Sequence, residues 1–290
     1  MSSTGRRAFP HLILSDLRCG GRQVALRFLA LAMVANVLCF MFYTLVAPGR
    51  TEIVSPSFAD YIAACVGGIE TRLPRDADSF RLPAGWLCLC GLMAYIALDY
   101  PVRDLRGIGA HVVVASGSRW CWWFSKCLWV FVACCASWLI VLASCALWAT
   151  FAGSGLTSHG SLYLSPGVPS LLGFQAPFVS AGKANIAGFV AVFPVVLAAV
   201  CTMQLALSIA FAPLVGFAAV IAVLLLSALH ANGVLLGNYL MLARSKLVSS
   251  AGVSCEAGLI WAFAVIALFT VLGGIAYARR DIYGRGADVS

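Results

Sequence analysis

Residues 186–230 read IAGFVAVFPVVLAAVCTMQLALSIAFAPLVGFAAVIAVLLLSALH, 45 consecutive positions without an Asp, Glu, Lys or Arg. The hydrocarbon core of a bilayer is about 30 Å thick and takes roughly 20 apolar residues of helix. The stretch is too long for one crossing and suits two. Pro213, near its middle, has no backbone N–H and opens a helix more readily than it sits inside one. The stretch therefore divides into a span at 187–209, a tight turn, and a span at 212–231. The fold class that follows is an all-α polytopic membrane protein.

Working outward, four further apolar runs appear. They lie at 25–47, ended by Pro48-Gly49, at 84–100, ended by Pro101, at 127–150, and at 258–278, stopped by Arg279-Arg280-Asp281. Composition agrees. Hydrophobic residues make up 62% of the chain, charged residues only 10%, and mean hydropathy is +0.95, where a soluble domain carries about 25% charged residues. Six transmembrane helices fill most of the 290 residues. The first run begins near Ala25, after Arg6, Arg7, Arg18 and Arg22, and is as long as a full span, so it reads as a retained helix rather than a cleaved signal. In residues 1–24, Phe9, Leu12, Ile13 and Leu17 fall near helical spacing beside Asp16, Arg18 and Arg22. That pattern suits a short helix on the cytoplasmic membrane surface; the alternative is a disordered basic tail.

Orientation follows from Lys and Arg. With the N-terminus inside, the inner segments hold twelve of them and the outer segments seven. The bias places both termini, including the tail 279–290, in the cytoplasm and the chain in the plasma membrane. It also accounts for the net charge of +8 without nucleic acid. Trp120, Trp122 and Trp123 at the inner end of the third span, and Trp148 at its outer end, read as interfacial anchors.

Several chemistries have no residues to carry them. No span holds a mid-membrane ionisable group, because Asp99 and His230 lie at span ends. Ion-coupled transporters need such groups. Asn36 and Gln204 are the deepest polar side chains, and each is expected to hydrogen-bond a neighbouring helix for about 1 kcal/mol. Gly182-Lys183-Ala184 is the nearest approach to a phosphate-binding loop and lacks the upstream Gly and the Ser/Thr that hold magnesium. A Ser154–His230 dyad is geometrically conceivable, but Gly153-Ser154-Gly155 reads more simply as a helix exit. Of twelve cysteines, Cys39, Cys88, Cys90, Cys134, Cys135, Cys145 and Cys201 lie in apolar runs as small hydrophobes. Neither Cys88-Leu89-Cys90 nor Cys134-Cys135 has the Cys/His partners of a zinc site. Cys65 and Cys255 fall in outer loops, where a disulfide between them is conceivable. No catalytic residue, cofactor or metal is therefore expected. Gly233…Gly237 has GxxxG spacing at a span end, and Gly273-Gly274 sits late in the last span; both suit close helix approach.

The connection 101–126 is the most distinctive segment between spans. Leu105, Ile108 and Val112 form one apolar stripe beside Arg103 and Arg106. An amphipathic surface helix is one reading, and a docking element for a cytoplasmic protein is the other. Here the chain resembles the type-2 permeases of ABC exporters. The likeness rests on six spans with both ends inside, a long outer loop after the first, and a tight inner turn after the fourth. It also rests on Ser116-Gly117-Ser118-Arg119 followed by Trp122-Trp123 and Lys126, and on Gly237-Asn238-Tyr239-Leu240-Met241-Leu242-Ala243-Arg244 ahead of the last span and Arg279-Arg280-Asp281-Ile282. The architecture covers nearly the whole chain and the motifs a small part of it. Ala115 departs from the pattern, which commonly has a second Arg there. The resemblance implies that Arg103, Asp104, Arg106, Ser118, Arg119 and Lys126 rest against a separate cytoplasmic ATP-binding subunit. It further implies a dimer with a second copy or a sister permease. The other readings are a non-transporting membrane scaffold, assembly or immunity factor, and an intramembrane serine protease.

Overall fold

The computed structural model describes residues 3–46, 56–69, 82–106, 119–153, 155–159, 185–249 and 251–279. Among them are seven α-helices, two short 3₁₀ segments and no strand. The helices are α1 (Ser3–Val46), α2 (Phe58–Val66), α3 (Ala84–Arg106), α4 (Arg119–Phe151), α5 (Ala187–Ala210), α6 (Pro213–Leu229) and α7 (Cys255–Arg279). The 3₁₀ segments, Leu236–Leu240 and Leu242–Arg244, lie between α6 and α7. Five helices, α1, α3, α4, α5 and α7, are long and apolar enough to cross a membrane. This is a helical, multi-pass membrane protein. α6 has 17 residues, about 26 Å at 1.5 Å per residue, and falls short of the other five.

The predicted spans at 187–209 and 258–278 match α5 and α7 closely, and the run at 212–231 holds the shorter helix α6. Phe211 and Ala212 make the tight turn, and Pro213 is the first residue of α6. Three helices run further than their apolar runs. α1 is unbroken from Ser3, so the segment read as a surface helix is continuous with the first span. α3 passes through Pro101 to Arg106. α4 starts two turns early, at Arg119. Proline inside a helix costs a backbone hydrogen bond, but neighbouring helices in a membrane bundle can satisfy the groups it frees.

α5 is the centre. In its most apolar window 67% of residues are buried, against 22% in α1 and 17% in α7, so those two lie at the outside of the bundle. α5 packs against α3, α4, α6 and α7. Its Pro194 leaves the carbonyl of Val190, four residues back, without its helical partner. Trp138 of α4 fills that gap: its indole N–H donates to the Val190 carbonyl at 2.9 Å. The same ring stacks on Phe193, with centroids 4.0 Å apart. Asn36 of α1 does what its depth predicts. Its amide donates to Ser144 Oγ at 3.2 Å and accepts from the Trp148 indole at 3.0 Å. Gln204 departs from the same expectation: it is fully buried, and neither amide atom has a hydrogen-bond partner. Gly273 and Gly274 admit the rings of Trp123 and Trp120 against α7. Gly237 sits in a 3₁₀ turn rather than a helix, so Gly233…Gly237 is not a helix-pairing motif.

The end of the bundle away from the N-terminus is closed by short elements. α2 is almost wholly buried, and so is the run Leu236–Arg244, with its polar Asn238 and Arg244. Arg244 holds this end. Its guanidinium donates to the carbonyls of Ser227, Ala228 and His230 at the C-terminus of α6, to the Ile69 carbonyl after α2, and to Asn238 Oδ1. The last carbonyls of a helix have no partner within it, and a cation there also offsets the helix dipole. Burial lowers the Arg244 pKa to about 10, so it stays charged at neutral pH.

Candidate functional site at the charged end of the bundle

At the opposite end α1, α3 and α4 continue past their apolar runs, and their polar residues turn inward. Asp16 of α1 is buried. It accepts from Lys126 Nζ at 2.6 Å, from the Tyr100 hydroxyl at 2.6 Å, and from the Ser125 hydroxyl. Lys126 of α4 is fully buried and also pairs with Asp104 of α3 at 2.8 Å. Asp104 accepts a further bond from the Trp122 indole at 3.0 Å. The Lys126 ammonium lies 4.5 Å from the Tyr100 ring centroid and 5.3 Å from that of Trp122, close enough for cation–π attraction.

A second group lies nearer the apolar part of the helices. Asp99 of α3 pairs with Arg27 of α1 at 2.8 Å and with Arg103, one turn along its own helix, at 3.1 Å. The Arg27 contact is angled away from hydrogen-bond geometry and is an ion pair only. Arg27 also covers the Tyr95 ring, 5.3 Å from its centroid. The two groups hold three cations and three carboxylates, so they are neutral together. They join three helices through charge, which costs desolvation and is favourable only when every partner is present.

The predicted docking residues divide here. Arg103 and Arg119 flank the 107–118 connection. Arg103 keeps 57% of its side chain exposed. Arg119 opens α4 and donates to the carbonyl of Ala278 at the end of α7, at 2.6 Å. Asp104 and Lys126 turn inward and pair with each other, so Lys126 in particular is held by the bundle and offers no surface to a partner. The Arg106 side chain and Ser118 lie outside the described residues, with Ala115 and Ser154.

The anchor reading also needs correction. Trp122 and Trp123 are fully buried. Trp122 stacks on Tyr277 with centroids 4.6 Å apart, and the Trp123 indole donates to the Thr270 carbonyl at 2.7 Å. Both N–H groups find acceptors inside the bundle and need no headgroup water. Trp148 is half-buried on Asn36, and Trp120 remains 40% exposed.

No family model, no curated protein and no solved structure matches the chain.

Asp16, Tyr100 and Ser125 were not apparent in sequence as members of this site. Asp16 offered one signal, as a lone acid between arginines on a helical stripe. As built, the site can hold α1, α3 and α4 in one rigid unit and carry a displacement of the 107–118 connection into them.

Proposed function

We propose that this chain is the membrane-spanning subunit of an ATP-driven exporter of the ABC type-2 permease class. ATP hydrolysis belongs to a separate cytoplasmic subunit seated on the connection 101–126. On this reading α6 is the sixth span, both termini are cytoplasmic, and the chain sits in the plasma membrane as a dimer with itself or a sister chain. The bundle's apolar interior suits a lipid-like or amphipathic cargo.

One observation carries the reading: the connection at 107–118 is gripped on both sides. Arg103 and Asp104 end one flank in ion pairs, and Lys126 and Arg119 tie the other to α1, α3 and α7. A force applied there by a closing ATPase would reach four helices.

The test is capture of the tagged chain from its native membrane in mild detergent, followed by ATPase assay and identification of bound proteins. A nucleotide-binding subunit should co-purify. Arg103→Glu with Arg119→Glu should reduce its recovery at least tenfold while membrane insertion stays normal. Capture without any nucleotide-binding protein would favour the scaffold or immunity reading instead.

A further inference from the structure

Three cysteines from three helices converge in the other half of the molecule. Cys39 lies on α1, Cys65 in the last turn of α2, and Cys145 on α4. Their Sγ atoms are 3.7, 3.8 and 3.9 Å apart. All three thiols are free, and none is more than 1% exposed. The disulfide partner suggested for Cys65 is elsewhere: Cys255 opens α7.

A point equidistant from three sulfurs at these separations lies about 2.2 Å from each, close to the roughly 2.3 Å of a metal–thiolate bond. The walls are fixed from both sides. Asn36, one turn before Cys39, is bonded to Ser144, next to Cys145. Tyr61, one turn before Cys65, meets Phe42 edge-on with centroids 5.1 Å apart. Such outer contacts orient ligands before an ion arrives. Among the described residues no His, Asp or Glu joins the group.

We propose that Cys39, Cys65 and Cys145 form a closed binding site for one copper(I) ion. Soft sulfur donors select copper(I) over the harder divalent ions. Structural zinc takes four ligands, and the described residues offer three here. Binding forms three Cu–S bonds and breaks three S–H bonds, because cysteine ligates a metal as the thiolate. The three protons leave to solvent, no electron is transferred, and the site carries two net negative charges. Sealed from solvent, the ion exchanges slowly and pins α2 against α1 and α4.

The test uses the full chain, produced in cells supplied with copper and purified anaerobically in detergent. Metal is counted after prolonged washing with a copper(I) chelator. Wild type should keep one copper per chain, and X-ray absorption should show sulfur neighbours alone at about 2.2–2.3 Å. Cys39→Ala, Cys65→Ala and Cys145→Ala should each bring copper to background, and Cys88→Ala should not. Background copper in the wild type, one zinc per chain in its place, a disulfide between any two of the three, or full copper in the triple variant would each overturn the proposal. The absorption spectrum of the wild type decides the matter even if a variant fails to fold.

Discussion

Lys126 shows most clearly what a single residue does here. Its ammonium is fully buried between Asp16 and Asp104, and removing one member of a buried ion pair typically costs about 3–5 kcal/mol because the remaining charge is stranded. Lys126→Met should therefore lower the thermal midpoint in detergent markedly. Combining it with Asp16→Asn and Asp104→Asn should restore part of that loss. A single variant as stable as wild type would mean that the Asp16–Lys126–Asp104 group does not hold the three helices together. Gln204 is the opposite case. A buried amide without partners carries a desolvation cost of about 1–3 kcal/mol, so Gln204→Met should raise the midpoint, and a fall would mean that the amide is in use. In sequence the two residues gave the reverse impression: a cation between spans looks like a loop charge, and a lone Gln in a span looks like glue. Only the facing helix decides which is satisfied.

At the scale of elements, the apolar runs located the helices well, because hydrocarbon thickness sets their length whatever they pack against. Their ends were hidden. Pro101 and the charges at 16, 104 and 126 carry the ordinary marks of a helix stop, yet each lies within a helix, and the three charges are paired across facing helices. α2 and the 3₁₀ segments were missed for a related reason. Short runs with Asp60, Asn238 and Arg244 look exposed until their buried partners are known. Ser57, for example, donates its backbone N–H to Asp60 at 2.7 Å and starts α2. The α4–α5 pair offers a direct check. Trp138→Phe keeps the ring on Phe193 but leaves the Val190 carbonyl unpaired beside Pro194. It should cost about 1–3 kcal/mol. Adding Pro194→Ala, which restores the helical N–H, should recover most of it in a double-mutant cycle.

For the whole molecule, six crossings would put both termini on one side, and five would separate them. Reporter domains fused at each end, tested for protease access in sealed vesicles, should both be reached from the cytoplasmic face. Access from opposite faces would mean that α6 does not cross. The charge bias that set the orientation is weaker than its raw count. Lys126 and Arg27 are neutralised by carboxylates, and Arg244 is enclosed by carbonyls, so the arginines of residues 1–24 and of the tail 279–290 bear more of that argument.

Arg244 also sets an order of events during synthesis. α6 can form once its own 17 residues have been made. Its terminal carbonyls at Ser227, Ala228 and His230 nevertheless wait for a guanidinium that emerges at least 14 residues later. The same side chain ties in Ile69, made 175 residues earlier. This end of the bundle is therefore sealed only when the growing chain has passed position 244, and a ribosome stalled before that point holds an assembly with one face still open.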